Sequence, residues 1–150
     1  MNGIDPGFLS QFKGLPTEPV TSLRGGDAID EYREAPEYDP SIDRLSPEYL
    51  ETYFCGITYL DAVSWRYYLP YLLGYTLQKI SDPGSMAVDH FLSNLRPPDQ
   101  EPPRFGSLSP EEQALVVSVL DRLAFSDESV WQDQAMVALE EYWGSETLYR

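Results

Sequence analysis

Apolar residues recur at the three- and four-residue spacing of amphipathic α-helices in the C-terminal part of the chain. The first stripe follows Ser109 and consists of Leu115, Val116, Val119, Leu120 and Leu123. The second follows Ser126-Asp127 and consists of Trp131, Ala135, Ala138, Leu139 and Tyr142. Gly144 comes next, and glycine commonly ends helices. The pattern predicts two helices that form a helical hairpin.

Two further stretches of the chain are also helical in pattern. Between Met86 and Leu95, a short stripe consists of Val88, Phe91, Leu92 and Leu95. The segment from Thr58 to Ile80 carries two stripes with Pro70 between them. Because proline inside a helix loses a hydrogen bond and clashes with the preceding turn, Pro70 is expected to kink one long helix or to start a second.

Two serine-proline pairs mark where helices begin. Ser46-Pro47-Glu48 and Ser109-Pro110-Glu111-Glu112 each offer a capping hydroxyl followed by a proline in the first turn, where a missing amide hydrogen costs nothing. Ser109 and Glu112 also have the spacing of a capping box, in which each side chain satisfies the amide of the other residue. Helices are therefore predicted to start at residues 47 and 110.

The first 44 residues differ from the rest in composition. They are rich in proline, glycine and acidic residues, which predicts little regular structure beyond a short opening helix capped by Asp5 with Pro6 in its first turn. At most, Pro19 to Leu23 supplies one edge strand. The fold class is thus mainly α, with about five to six helices in one domain, residues 1–150. An irregular acidic arm, residues 1–44, is expected to pack on a helical core, residues 45–145.

The residues expected to fill the core are mostly aromatic or branched. They are Tyr49, Phe54, Leu60, Val63, Tyr67, Leu72, Leu73, Leu77, Phe91, Leu92, Leu95, Leu115, Val119, Leu123 and Trp131.

Charge narrows the classes of partner. The 150 residues include 25 acidic and 10 basic side chains, for a formal net charge of -15. This balance argues against nucleic acid or an anionic membrane as a partner, since both require clustered cations. The chain shows neither a secretory signal nor an uninterrupted apolar span, so a cytoplasmic location is expected. One cysteine and one histidine are too few for a zinc cluster or an internal disulfide, and no cofactor motif occurs.

Few residues offer catalytic chemistry. His90 is interpreted as an ordinary, partly exposed helix residue, since no serine or cysteine is adjacent to it. Cys55 is interpreted as a small buried apolar side chain. Asp61 and Asp89 stand in apolar surroundings and are the nominal acids of an alternative, a small carboxylate-dependent hydrolase. Arg66 is expected to pair with one of these acids or to stack on an aromatic ring.

The segment from Asp27 to Glu51 is the most unusual feature of the sequence. It contains nine acidic residues against two arginines, with tyrosines between them. Such a surface suits a basic protein partner, because charge steers the encounter and rigid rings give contact area at low entropic cost. The equally weighted alternative is a solvated acidic loop. The candidate partner-binding residues are Asp27, Asp30, Glu31, Tyr32, Glu34, Glu37, Tyr38, Asp39 and Asp43.

Several motifs occur in the order of a known family. They are Trp65-Arg66-Tyr67-Tyr68-Leu69-Pro70, Leu92-Ser93-Asn94-Leu95-Arg96-Pro97, Arg104-Phe105 and Leu108-Ser109-Pro110-Glu111-Glu112-Gln113. Over residues 45–125 the chain resembles a bacterial family of small acidic proteins, a domain of unknown function. The resemblance implies a bacterial origin and a helical domain. It supplies no catalytic residue.

The leading hypothesis is a non-enzymatic protein-binding protein. Its most concrete form is an immunity or inhibitor protein that occludes a basic bacterial toxin or nuclease. The alternatives are the carboxylate-dependent hydrolase and a cytoplasmic adaptor or secretion chaperone. The sequence leaves the partner, the oligomeric state and the organism open.

Overall fold

The computed structural model of the protein describes residues 3–4 and 7–144, and α-helices dominate this part of the chain. The helices are α1 (Leu23–Asp30), α2 (Pro47–Thr52), α3 (Ala62–Gln78), α4 (Met86–Ser93), α5 (Pro110–Phe125) and α6 (Gln132–Ala138). Short 3-10 helices lie at Leu9–Gln11, Phe54–Tyr59 and Phe105–Ser107, and α6 continues into a π-helical turn, Leu139–Trp143. The described residues contain no β-strand. The mainly α fold class predicted from the sequence is confirmed.

The buried apolar side chains form one cluster that extends from Ile4 to Trp143. Helix α3 contributes Trp65, Tyr68, Leu69, Leu72, Leu73 and Tyr75 to it. Helices α5 and α6 pack against each other, and α4 lies against α3 and α6. None of the described helices is both long and apolar enough to cross a lipid bilayer.

Both predicted serine caps are present. The Ser46 side chain accepts a hydrogen bond from the Tyr49 amide at 3.0 Å, with Pro47 in the first turn of α2. At α5, the Ser109 hydroxyl accepts from the Glu112 amide, and the Glu112 carboxylate accepts from the Ser109 amide. This reciprocal pair is the capping box expected from the spacing.

Helix α3 contradicts one of the two expectations for Pro70. The helix runs through Pro70 without a break, so no second helix starts there. Pro70 is buried, and packing against the core holds the helix together where its own hydrogen bonding is interrupted. Val63, predicted to lie in the core, is 48% exposed because it lies on the solvent side of the first turn of α3.

The N-terminal arm is more regular than the sequence suggested. Helix α1 lies inside it, and the Pro19–Leu23 strand is absent, since Leu23 is the first residue of that helix. Leu23 and Ala28 are buried, and this burial stabilises a helix whose two glycines would otherwise disfavour it. The proposed opening helix falls partly on Asp5 and Pro6, which lie outside the described residues.

An ion pair holds the N-terminal segment against the core. The Arg66 guanidinium donates to both oxygens of Glu112, with Nη2 at 2.6 Å from Oε2, and also to the Lys13 carbonyl oxygen. The Arg66 guanidinium lies 5.8 Å from the centre of the Phe12 ring. The aromatic contact expected for Arg66 is therefore present, but its acidic partner is Glu112 rather than Asp61 or Asp89.

Candidate partner-binding surface

Helix α1, which carries the first of the candidate acidic residues, is fixed at its N-terminus by groups from other elements. The first amides of a helix have no acceptor within the helix. Here the Leu23 amide donates to the Tyr68 hydroxyl and the Arg24 amide to the Tyr49 hydroxyl, each at 3.2 Å. The Gly25 amide donates to the Ser22 side chain at 2.8 Å. Side chains from α2 and α3 therefore complete the start of α1.

The middle of α1 lies against the 3-10 helix Phe54–Tyr59 at a contact between two glycines. A Cβ on Gly26 would overlap the carbonyl oxygen of Gly56, and a Cβ on Gly56 would overlap the carbonyl oxygen of Leu23. Only hydrogen at both positions permits this backbone approach. The contact brings the acidic end of α1 beside the side chains of the 3-10 helix.

The C-terminal end of α1 is closed by a left-handed residue. Tyr32 has φ 62°, and the Arg33 amide donates to the Ala28 carbonyl at 2.8 Å while the Tyr32 amide donates to the Ile29 carbonyl at 3.0 Å. This is the Schellman pattern, which usually has glycine at the left-handed position. The Tyr32 side chain is 99% exposed, so it projects into solvent at the tip of the helix.

Three carboxylates surround this helix end. Asp27 is half-buried, whereas Asp30 and Glu31 are exposed. Burial and the nearby charges of Glu31 and Asp30 raise the pKa of Asp27. The negative end of the helix dipole lies at the same place, which makes the local potential more negative still. Arg33 forms an exposed ion pair with Glu31, and Glu34 and Glu37 are exposed further along the chain.

Asp43 belongs to the interior and not to this surface. It is 2% exposed and accepts hydrogen bonds from Arg24 Nε at 2.9 Å and from the Tyr49 hydroxyl at 2.7 Å. Its other oxygen accepts from the Asp39 amide at 2.8 Å. Burial alone would raise the pKa of Asp43, but the hydrogen bonds lower it. Its assignment as a partner-contact residue is therefore replaced by a structural role.

Tyr38 and Asp39 are also engaged by the fold. Asp39 is half-buried and accepts from the amide and the hydroxyl of Ser41, which closes a turn. Tyr38 is half-buried and hydrogen-bonds with Tyr67 of α3. The predicted segment thus divides in two. The residues with exposed side chains are Asp30, Glu31, Tyr32, Glu34 and Glu37, with Asp27 at their edge.

Two residues outside the prediction join this surface. Tyr59 is 41% exposed, and a hydrogen bond with Asp30 raises the pKa of its hydroxyl. Ile29, in the last turn of α1, is 39% exposed. Tyr59 is separated from Asp30 by 29 positions, so only the packing of the 3-10 helix on α1 reveals their proximity. Ile29 could have been noticed as an apolar residue within an acidic run.

His90 has a partner that the local sequence did not show. Its Nε2 lies 2.9 Å from Thr58 Oγ1, and Asn94 Nδ2 lies 3.2 Å from the same oxygen. The Thr58 hydroxyl accepts from Asn94 and has both a donor and a second acceptor site for His90 Nε2, so the direction of that bond follows from the histidine tautomer. Burial lowers the pKa of His90, which favours the neutral ring. Cys55, expected to be buried, is half-buried, and burial followed by nearby acids raises the pKa of its thiol.

A buried arginine supports the 3-10 helix from beneath. Arg104 is 1% exposed, and its guanidinium donates to the carbonyl oxygens of Ile57 at 2.7 Å, Thr58 at 3.1 Å and Leu60 at 2.7 Å. Burial lowers the pKa of Arg104 to about 10. These bonds satisfy carbonyls at the C-terminal end of the 3-10 helix and so fix the position of Tyr59.

The two nominal acids of a hydrolase occupy separate helix starts. Asp61 is exposed and caps α3, where it accepts from Ser64. Asp89 is half-buried in the first turn of α4. A cavity of about 420 Å³ lies beside Arg66 and Glu112, and another of about 450 Å³ beside Glu51 and Tyr75; neither acid lines them. The described residues contain no group of three potential metal ligands.

The fold and this surface define an α-helical protein with an acidic, tyrosine-bearing helix end. Residues 7–147 match the model of a Family of unknown function (DUF6714), and the chain belongs to that family. The match extends well beyond residues 45–125, where the sequence resemblance lies, and it includes α1. Neither the curated proteins nor the solved structures contain a match to this chain.

Proposed function

We propose that this protein is a non-enzymatic binding protein whose partner is a basic protein, bound at the C-terminal end of α1. The observation that supports the proposal is the concentration of Asp27, Asp30 and Glu31 around the exposed Tyr32. Like charges three and four positions apart destabilise a helix, and acidic residues at its C-terminus oppose the dipole. Arg33 already pairs with Glu31. A cationic partner would relieve the repulsion that remains around Asp27 and Asp30, which favours binding at this helix end.

The overall charge of the protein also favours a basic partner. At a formal net charge of -15, the protein attracts cationic proteins from a distance and repels other copies of itself. Steering of this kind raises the association rate and falls as salt increases. In its most concrete form, the protein is an immunity or inhibitor protein that covers the functional surface of a basic bacterial toxin or nuclease.

The test is affinity capture from a lysate of the source organism at low and moderate salt. The baits are the wild-type protein and a variant with Asp27→Asn, Asp30→Asn and Glu31→Gln. The matched control replaces three exposed carboxylates elsewhere, with Glu48→Gln, Glu111→Gln and Glu128→Gln. We expect a single basic protein to be captured by wild type and control, less at higher salt, and to be lost with the helix-end variant. Purified partner should then lose its activity when the protein is added.

Equal capture by all three baits would contradict the proposed surface, and capture of no basic protein would contradict the proposed function. The adaptor or secretion-chaperone alternative predicts a dimer. Light scattering on the same preparation distinguishes that alternative from a monomeric inhibitor.

A further inference from the structure

We infer that the exposed face formed by Ile29, Tyr32 and Tyr59, here called the aromatic face, docks arginine side chains of a basic partner in preference to lysine. The inference rests on the proposed function, because it names the chemistry that the partner presents. It goes further by assigning recognition to two tyrosines from different elements and not to charge alone.

The aromatic face is held together by the fold. Ile29 and Tyr32 lie at the end of α1, and Tyr59 is the last residue of the 3-10 helix that packs on α1 at the Gly26 and Gly56 contact. Tyr59 hydrogen-bonds with Asp30, which precedes Tyr32 by two positions in the chain. A tyrosine from each element therefore flanks the Asp30 carboxylate, and Arg104 anchors the segment that carries Tyr59.

The surroundings decide what can cover this face. Ile29, Tyr32 and Tyr59 are 39%, 99% and 41% exposed, so each side chain presents apolar surface to solvent. An apolar partner would desolvate the Asp30 carboxylate without giving it a counter-ion, which is costly, whereas Glu31 is already paired with Arg33. A second copy of the chain would bring the same negative charge to the contact. A cation with an apolar or planar surface satisfies both the rings and the carboxylates.

Arginine meets this requirement better than lysine. Its guanidinium is planar, weakly hydrated and able to stack on an aromatic ring while its edge donates two hydrogen bonds to a carboxylate. Lysine carries a compact, strongly hydrated charge, which loses more solvation when it is placed over a ring. At the aromatic face, stacking on Tyr32 or Tyr59 and pairing with Asp30 are available to the same guanidinium.

The test measures the affinity of fluorescent hexa-arginine and hexa-lysine peptides for the full chain at low salt. We expect wild type to bind hexa-arginine about five-fold more tightly than hexa-lysine. Tyr32→Gly should lower this ratio, because it removes one ring while suiting the left-handed backbone, and Tyr32→Gly combined with Tyr59→Ala should reduce the ratio to about one. Tyr32→Phe keeps a ring and should keep the preference. Phe125→Ala, which removes an exposed ring on α5, is the matched control and should leave the ratio unchanged.

Thermal melting of each variant confirms that the fold is retained. Equal binding of the two peptides by wild type, or a preference that survives Tyr32→Gly and Tyr59→Ala together, would overturn the inference. If a basic protein is still captured in the lysate experiment, the proposed function stands although the arginine preference has failed. If that capture also fails, both are contradicted.

Discussion

Gly26 of α1 and Gly56 of the 3-10 helix Phe54–Tyr59 meet backbone to backbone, with no space for a side chain on either. The contact joins the helix that carries Asp30 and Tyr32 to the segment that carries Tyr59. The geometry of the candidate surface therefore depends on two residues that have no side chains and lie 30 positions apart.

Gly56→Ala should destabilise the protein strongly. Its Cβ would overlap the Leu23 carbonyl oxygen, and backbone on both sides would have to move. We expect a loss of about 3 kcal/mol or more in the free energy of unfolding, measured by urea denaturation. Gly84→Ala is the control, because its Cβ would approach only the flexible Asp82 side chain, at 3.3 Å. A similar small change for both variants would contradict the close approach.

Tyr32→Gly should stabilise the fold while it weakens partner binding. Tyrosine in the left-handed region is strained, and glycine adopts φ 62° without this cost. We expect a gain of about 1 kcal/mol over Tyr32→Ala, which removes the same ring but keeps the strain. Chemical denaturation of the two variants measures the difference between their free energies of unfolding. Equal stability of the two would show that the left-handed conformation costs nothing.

The ion pair between Arg66 and Glu112 should make the free energy of unfolding depend on pH in the acidic range. The Arg66 hydrogen bonds lower the pKa of Glu112 to about 2, against 4.5 for the free side chain. Because the folded pKa is the lower one, the stabilisation is complete above pH 4.5 and is lost as the pH falls towards 2. Glu112→Gln should lower the free energy of unfolding by about 2 to 3 kcal/mol at neutral pH. The loss should be much smaller near pH 2, where Glu112 becomes protonated in the wild-type protein.

The neighbouring Glu111→Gln is the matched control for that experiment, since Glu111 is exposed. This substitution should change the free energy of unfolding by less than about 1 kcal/mol, and the change should vary little with pH. Denaturation curves at a series of pH values compare the three proteins. A constant difference between wild type and Glu112→Gln from pH 7 to pH 2 would rule out the lowered pKa.

Arg104→Lys should be far more damaging than Arg96→Lys. The guanidinium of Arg104 is buried and donates to three carbonyl oxygens, which one ammonium group reaches only in part. We expect Arg104→Lys to cost about 2 to 4 kcal/mol, since buried carbonyls lose their donors. Arg96 pairs with Glu141 in solvent, and its replacement should cost less than about 1 kcal/mol. The melting temperatures of the two variants measure the difference. A larger loss for Arg96→Lys than for Arg104→Lys would contradict the structural role of Arg104.

His90 is the only histidine, so its ring gives a single titration by NMR. Burial lowers its pKa below 6.5, and the midpoint should fall accordingly. Since the folded pKa is below the unfolded one, His90 reduces stability as the pH falls below 6.5. Asp30→Asn should lower the midpoint further, because the Asp30 charge favours the protonated ring. A midpoint above 6.5 would be inconsistent with the buried, neutral ring.

The elements that were predictable from the sequence are those with local causes. Ser46 and Ser109 cap their helices through amides three residues away, so spacing alone was sufficient. Helix α1 was missed because Gly25 and Gly26 normally weaken helices. Here Gly26 is required by Gly56, a tertiary cause that no local pattern contains. For the same reason the partners of Arg66 and His90 were not predicted, since Glu112 and Thr58 lie 46 and 32 positions away.

The candidate surface was predictable only as a stretch of acidic sequence. Composition showed where carboxylates and tyrosines are dense, but not that Asp43 turns inward to Arg24 and Tyr49. An acidic residue buried in an ion pair and one exposed to solvent have the same letter in the sequence. Tyr59 was missed for the converse reason, because it lies outside the acidic stretch and reaches Asp30 only through the packing of two elements.

The capping of α1 by Tyr49 and Tyr68 also bears on the order of folding. A helix of eight residues is unstable alone, and the first amides of α1 find these hydroxyls only after α2 and α3 have come together. We expect α1 to form late and to open as one unit with the 3-10 helix beside it. Amide exchange of α1 would then slow when a partner binds, while exchange in α5 stays the same. Protection of the amides in α1 and in the neighbouring 3-10 helix therefore reports whether a partner occupies the surface.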